Sequence, residues 1–130
     1  MMRLAVVAVL LAAAPAVLHA APSKPGARSA EERCLDTPGP NIEILNCLSG
    51  LTQAQDARLN RAYKAAMGRQ KTPAARTALR AAQRAWITSR DEDCMPYYDQ
   101  VQYGAQGGIE GEQCVLDRTR ERADALERLR

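Results

Sequence analysis

The stretch NIEILNCLSGLTQAQDARLNRAYKAAM, residues 41–67, decides the fold because its apolar side chains recur every three or four positions. This spacing places them on one face of an α-helix. That face carries Leu45, Leu48, Leu51 or Thr52, Gln55, Leu59, Ala62, Tyr63 and Ala66. Asn41 is the predicted N-cap. Gly50 weakens the middle of the helix and predicts a bend or a break near Ser49.

Two further helices follow the same pattern. Thr72 is a good N-cap and Pro73 suits the first helical position, so a second helix is predicted from there to about Asp93. A third helix is predicted from about Glu112 to the end of the chain. No run of alternating apolar residues predicts a strand. The sequence therefore predicts an all-α fold, a small bundle of about three helices, with a loop between the second and third.

Four cysteines predict two disulfides in this bundle. An even number of cysteines in an exported chain of this size is typical of a disulfide framework, although four cysteines allow three pairings. Cys34 and Cys47 flank a Pro-Gly-Pro reversal, whereas Cys94 ends the second helix and Cys114 begins the third. We therefore favour the pairs Cys34–Cys47 and Cys94–Cys114.

The first 33 residues are expected to lie outside the folded domain. Residues 1–20 have an early Arg3, an apolar run and a final small residue, which is the order of a secretory signal peptide. Cleavage is expected after Ala20, with Ala16 and Ala21 as alternatives. Residues 21–33 predict a flexible leader and residues 34–130 one helical domain. The protein is expected to be periplasmic or secreted, without a stable membrane anchor, since no lipidation cysteine lies near the cleavage region.

Composition excludes several functions. The single histidine, His19, leaves with the signal peptide, which excludes mechanisms that need an imidazole and histidine-ligated zinc. Without Arg3, 17 of the 18 basic residues remain against 15 acidic ones, too small an excess for a nucleic-acid-binding protein. No pair of carboxylates is marked for acid–base catalysis, so we expect no enzyme, no cofactor and no metal site. Calcium at the acidic run of residues 91–93 remains a weak alternative because the EF-hand pattern fails at Met95.

One window gathers negative charge and aromatic rings. Residues 91–117 contain seven acidic residues and no lysine or arginine. The window also holds three of the four tyrosines and four glycines. A solvated loop is the simplest interpretation, but a restrained acidic loop with tyrosines is also suited to bind a basic protein. The predicted partner-binding residues are Asp91, Glu92, Asp93, Tyr97, Tyr98, Asp99, Tyr103, Gly107 and Gly108.

The order of these pieces resembles the LprI-type lysozyme-inhibitor family. Members share a cysteine, a D-x-x-LN-x-x-Y helix, a QRAW-x-x-x-RD-x-x-C helix, a Gly-Gly loop, a last cysteine and a T-x-x-R helix. The resemblance covers residues 34–126. The matching positions are Asp56, Leu59, Asn60, Tyr63, Gln83, Trp86, Arg90, Asp91, Cys94, Gly107, Gly108, Cys114, Thr119 and Arg122.

The resemblance implies a small exported helical domain and, for some members, inhibition of lysozyme. The protein that names the family is a lipoprotein, which this chain does not match. The resemblance and the acidic loop together imply a basic lysozyme or a related basic muramidase as the partner. The alternative is a non-catalytic envelope module that binds another envelope protein, a peptidoglycan fragment or a small ligand.

Several of the matching positions carry polar or aromatic side chains, for which we expect structural roles. A polar network between helices can fix one packing arrangement when all its members are satisfied. The predicted network contains Asp56, Asn60, Tyr63, Gln83, Trp86, Arg90 and Arg122.

Overall fold

The computed structural model describes residues 28–129, and every regular element in that range is helical. The α-helices are α1 (Ala30–Leu35), α2 (Asn41–Arg69), α3 (Pro73–Cys94), α4 (Gln100–Tyr103) and α5 (Gly107–Arg128). The prediction of an all-α fold with three long helices, here α2, α3 and α5, is confirmed.

The helix starts follow from their capping residues. Thr72 caps α3, because its Oγ1 accepts a hydrogen bond from the backbone N–H of Ala75 at 3.1 Å, and Pro73 is the first helical residue. A capping box begins α1: the hydroxyl of Ser29 accepts from the N–H of Glu32, whose carboxylate accepts from the N–H of Ser29. The prediction of a flexible leader through residue 33 is therefore wrong for residues 28–33. The missed signal is Ser29 with a glutamate three residues later.

The long helix α2 is continuous through Gly50, so the predicted break near Ser49 is wrong. A single glycine costs a helix only about 1 kcal/mol relative to alanine, and the packing on both sides of Gly50 outweighs that cost. The N-cap is Pro40, one residue before the predicted Asn41, and its side chain makes no capping hydrogen bond. Instead, the Asn41 Nδ2 donates to the carbonyl of Ala105 at 3.3 Å and so connects the start of α2 to the end of the α3–α5 connection.

The helices α2 and α5 run parallel, and α3 runs antiparallel to both. Asn41 at the start of α2 contacts Ala105, just before α5 begins. At the other end, Arg69 donates to the backbone carbonyls of Leu126 and Leu129 at 2.9 and 2.8 Å. Between these ends, Arg58 pairs with Asp124 and Glu127 of α5, both at 2.5 Å. The α2–α3 turn and the α3–α5 connection therefore lie at opposite ends of the bundle.

Two apolar clusters form the core. The first lies toward the α2–α3 turn and contains Leu59, Ala62, Ala66, Leu79, Ala123 and Leu126, with Tyr63, Met67 and Trp86 packed against it. The second lies toward the start of α2 and contains Cys34, Leu48, Ile109 and Leu116, with Ile44, Leu45 and Leu51 against it. Three of the six buried residues in the first cluster are alanines, which contribute little apolar volume.

Both predicted disulfides are confirmed: Cys34–Cys47 joins α1 to α2, and Cys94–Cys114 joins the end of α3 to α5. The two disulfides close loops with sequence separations of 13 and 20 residues, and a crosslink of that loop size stabilises a small domain by about 3 kcal/mol in the loop-entropy estimate. Since Cys34 also belongs to the second core cluster, the first disulfide gives the short helix α1 its place on the bundle.

The predicted signal peptide and residues 21–27 of the predicted leader lie outside the described residues, as does residue 130. Within residues 28–129, no helix is long and apolar enough to cross a membrane.

Candidate functional site

The connection between α3 and α5, residues 95–106, is a chain of short helical turns that we call the tip segment. It consists of a 3₁₀ turn (Met95–Tyr98), α4 and a second 3₁₀ turn (Gly104–Gln106). Asp99 caps α4, because its Oδ1 accepts from the N–H groups of Val101 and Gln102 at 2.9 and 3.3 Å. Gly104 then reverses the chain with a φ of +63°, a conformation that favours glycine. The predicted loop is therefore a series of short ordered turns.

Two of the three tyrosines hold the tip segment together. The rings of Tyr97 and Tyr103 lie 5.3 Å apart at an interplanar angle of 52°, and both residues are half-buried. Such tilted aromatic pairs stabilise by about 0.5–1.5 kcal/mol beyond their buried area. Their position gives Tyr97 and Tyr103 a structural role within the segment, which the sequence pattern did not indicate.

Tyr98 is the solvent-exposed tyrosine of the tip segment. It is 40% exposed, and its hydroxyl donates to the carboxylate of Glu112 at 3.3 Å. Its ring lies over Gly111, where an added Cβ would come within 2.6 Å of the ring. Desolvation raises the pKa of Tyr98, and the nearby Glu112 raises it further. The phenol therefore stays protonated at neutral pH and offers a neutral aromatic surface.

Gly107 and Gly108 begin α5, so the prediction that they form a loop is wrong. The third long helix starts at Gly107 rather than near Glu112. A Cβ at position 107 would lie 2.1 Å from the Tyr97 carbonyl oxygen and 2.6 Å from the Tyr103 Cβ. Gly107 is required because the tip segment packs directly on the first turn of α5.

Sequence reasoning missed the most exposed apolar side chains of the tip segment. Val101 is 99% exposed and Met95 is 60% exposed. With Tyr98 they are spaced three residues apart along the segment. That spacing, with Val101 between two glutamines, was the available signal. It predicts an apolar surface only once the segment is known to be helical.

Several carboxylates of the window of residues 91–117 have basic partners. Arg90 donates to Asp91 at 2.7 Å, Arg118 to Asp93 at 2.6 Å and Arg120 to Asp117 at 2.8 Å. Burial, followed by the nearby Glu31, raises the pKa of Asp117 despite its arginine partner. These arginines lie just outside residues 91–117 in the sequence, and their ion pairs neutralise part of the negative charge of that window.

The structure brings five residues of the predicted polar network together and leaves the other two apart. Arg122 of α5 donates through Nε to the Gln83 side-chain oxygen at 2.9 Å, and its guanidinium lies 5.9 Å from the Trp86 ring. Arg90 lies over the same ring at 5.2 Å, and Tyr63 packs against the same core cluster as Trp86.

Asp56 and Asn60 lie apart from this cluster. Both side chains are exposed on α2, and neither makes a side-chain hydrogen bond to another residue of the 28–129 range. A half-buried network that includes them is therefore not what the structure shows. Their helical register places them beside the buried face of Leu59 and Ala62, on its solvent-exposed flank.

A family model for "Lysozyme inhibitor LprI" matches residues 34–126. The chain belongs to the LprI family of lysozyme inhibitors. The match covers both disulfides, all three long helices except the last residues of α5, and the whole tip segment. No curated protein and no solved structure matches the chain.

Membership of the LprI family indicates lysozyme as the kind of partner and inhibition, rather than catalysis, as the kind of activity. The tip segment combines exposed apolar side chains with one capping carboxylate, that of Asp99. Among residues 28–129, no group of three or more His, Cys, Asp or Glu side chains is arranged to hold a metal ion.

Proposed function

We propose that this protein binds and inhibits lysozyme, and that the tip segment forms the centre of the contact. The observation that carries the first part is the match to the lysozyme-inhibitor family over residues 34–126. The exposed apolar side chains of Met95, Tyr98 and Val101 support the second part. Exposed apolar groups within a polar rim are characteristic of protein-binding surfaces.

The order of the segment suits occlusion of a cleft. Lysozyme cleaves its polysaccharide with two carboxyl groups that flank the scissile bond. A segment that is already held by Cys94–Cys114 and by the Tyr97–Tyr103 pair need not become ordered when it contacts such a cleft, which lowers the entropic cost of binding. Inhibition then needs no reacting group, because the substrate is excluded by the volume of the tip segment.

Charge supports the same partner. Glu92, Asp99 and Glu110 lie next to or within the tip segment, and no lysine or arginine occurs from residue 91 to residue 117. Lysozymes are basic proteins, so carboxylates at this end of the bundle accelerate the encounter in a salt-dependent manner. A contact of the usual inhibitor size involves about 20–30 residues of each partner, so the adjoining ends of α3 and α5 also contribute.

Export belongs to the same proposal. The two disulfides require an oxidising compartment, and residues 1–20 have the pattern of a cleavable signal peptide. We place the working protein in the periplasm or outside the cell, where it meets lysozyme.

Lysis of a cell-wall suspension by lysozymes of several types tests the function. Increasing amounts of the oxidised mature protein should abolish lysis by at least one of them at a stoichiometric ratio. Lysis that stays at full rate with every lysozyme, even at a large molar excess of correctly oxidised protein, would overturn the proposal.

A pair of variants separates the function from its location. Val101→Ser removes the most exposed apolar side chain of the tip segment, whereas Ile87→Ser removes a comparable exposed side chain, 41% accessible, from α3. Burying a valine in an interface stabilises by about 1.5 kcal/mol, so Val101→Ser should raise the inhibition constant about tenfold. The control should inhibit like the native protein. Equal inhibition by both variants and the native protein would leave the function and remove the tip segment from the contact.

A further inference from the structure

The second half of α2 and most of α3 form the basic part of the chain. Residues 57–90 contain nine lysines and arginines and no acidic residue. Two of these cations have partners within the fold, since Arg58 pairs with two carboxylates of α5 and Arg90 pairs with Asp91. None of the other seven forms an ion pair with a carboxylate of residues 28–129. This part of the molecule therefore carries positive charge that the fold does not compensate.

On α3, two of these cations and an apolar residue form one row. Arg80, Arg84 and Ile87 are exposed and follow one another at spacings of four and three residues, which places them along the same side of the helix. Ala78 lies on the other side of the buried Leu79 and lines the concave surface toward α5. The row therefore lies on the flank of α3 that faces away from α5.

Lys64 of α2 is exposed on the same side of the bundle. Arg58 and Arg69 lie on the side of α2 that faces α5, to which both donate hydrogen bonds. The register turns Lys64 about a third of a turn or more away from either of them. Asp56, two turns before Lys64, is the nearest acidic residue within α2, and it forms no ion pair with a residue of the 28–129 range.

The turn between α2 and α3 adds one more exposed cation, that of Lys71. We call the surface opposite α5 the basic face. It consists of Lys64, Lys71, Arg80, Arg84 and Ile87. Four cations without ion-pair partners produce a positive potential over this side of the bundle, so an anionic partner is favoured there.

An exposed apolar side chain distinguishes the basic face from a simple cluster of charges. Ile87 is 41% exposed and continues the row of arginines. Thr77, Ala81 and Thr88 are exposed on α3 as well and have short side chains, so the arginines extend beyond them. Cations on long flexible stems beside an apolar residue are the combination with which helices bind a membrane surface.

We propose that the basic face binds the surface of an anionic phospholipid bilayer. The lysines and arginines contact the lipid phosphates, and Ile87 contacts the boundary of the acyl chains. Each cation close to an anionic membrane strengthens the association about fivefold. The binding is peripheral, because α3 stays packed in the bundle and only its exposed flank meets the lipid. Export, which the proposed location requires, brings this face next to a membrane surface.

Ile87 selects a bilayer over a soluble anionic polymer. A hydrated polyanion satisfies the cations of the basic face but offers no apolar region to an isoleucine. A bilayer supplies phosphate groups and hydrocarbon within one side-chain length of each other, which is the arrangement that this row of residues matches.

Sedimentation with lipid vesicles tests the proposal. The oxidised mature protein is mixed with vesicles of phosphatidylcholine alone or with vesicles that contain equal parts of phosphatidylcholine and phosphatidylglycerol. At low salt it should bind the anionic vesicles at least tenfold more tightly than the neutral ones, and added salt should weaken the binding. Equal binding to both kinds of vesicle, or no binding to the anionic ones, would overturn the proposal.

A matched pair of charge reversals tests the location. Arg84→Glu should weaken binding to the anionic vesicles at least tenfold, since loss of one cation alone accounts for about fivefold. Arg61→Glu makes the same charge change at an exposed residue that lies three positions after Arg58, toward α5, and should weaken binding less than threefold. Both side chains are exposed, so both variants should keep the native Tm. Equal loss in the two variants would refute the basic face as the site.

Ile87→Ser separates a bilayer from a soluble polyanion. This variant should bind the anionic vesicles about fivefold more weakly than the native protein, because it loses apolar contact with the lipid. Its affinity for long-chain polyphosphate should be unchanged. Equal affinity of Ile87→Ser and the native protein for the vesicles would overturn the bilayer assignment. Neither Arg84→Glu nor Ile87→Ser should alter inhibition of lysozyme, so this proposal stands or falls separately from the proposed function.

Discussion

The contact between the tip segment and α5 predicts a large effect from the smallest possible substitution, Gly107→Ala. The added Cβ would lie 2.1 Å from the carbonyl oxygen of Tyr97 and 2.6 Å from the Cβ of Tyr103. Neither neighbour is the flexible end of a side chain. Relief of the clash therefore requires the tip segment to move away from α5 as a unit.

The magnitude follows from the cost of overpacking. Extra methyl groups in well-packed sites destabilise by about 1–3 kcal/mol, and a clash with backbone belongs at the upper end, about 3 kcal/mol. For a domain of about 100 residues, each 1 kcal/mol lowers the Tm by about 4–8 °C. We expect Gly107→Ala to lower the Tm by more than 10 °C.

Gly68→Ala is the matched control. Gly68 also lies in a helix, but an added Cβ there meets no atom within 4 Å. Since alanine is favoured over glycine in helices by about 0.5–1 kcal/mol, this variant should be slightly more stable than the native protein. Thermal and urea unfolding followed by circular dichroism measure both variants. A Gly107→Ala variant as stable as the native protein would refute the packing described for the tip segment.

Three further predictions concern single side chains. Folding raises the pKa of Tyr98 above its usual 10.0, so the stability that the protonated phenol contributes is complete below pH 10 and is lost as the pH rises through the raised pKa. In urea unfolding at increasing alkaline pH, Tyr98→Phe should therefore lose less free energy of unfolding than the native protein. Gln83→Leu removes the acceptor of Arg122 Nε and should destabilise by about 2 kcal/mol in the same unfolding assay, whereas a change within a few tenths would show that the bond is dispensable. At low salt, Glu92→Gln should slow association with lysozyme more than Asp56→Asn, which changes the charge equally, and binding kinetics measure both variants. At high salt the two association rates should converge because the charges are screened. Equal slowing at low salt would argue against electrostatic steering toward the tip segment.

Local signals were sufficient for the existence of α2 and for the start of α3. The three- and four-residue spacing of α2, and the Thr72–Pro73 start of α3, specify each helix from residues within it. The disulfides were also predictable, because a short connection between α3 and α5 brings Cys94, at the end of α3, close to Cys114 in the first half of α5.

The features that were predicted wrongly, the start of α5 and the roles of the tyrosines, depend on packing between residues far apart in sequence. Gly107 and Gly108 carry the composition of a loop, and only the contact with Tyr97 and Tyr103 explains why they begin a helix. Similarly, three equivalent tyrosines in the sequence become one half-exposed ring and one internal pair in the structure.

The surroundings of Arg122 were only partly predictable for a related reason. The sequence predicted a network for Arg122 and Gln83, and the structure joins them. The burial of the Arg122 Nη2 without an acceptor among residues 28–129 depends on long-range packing, which no local pattern encodes.

The most direct test of the central claim is a map of the lysozyme contact on this protein. Unlabelled lysozyme is titrated into the isotope-labelled, oxidised protein, and the perturbed backbone amides are assigned by NMR. We expect the largest changes on residues 95–106 and on the adjoining ends of α3 and α5. Perturbations confined to the α2–α3 turn, with the tip segment unchanged, would contradict it.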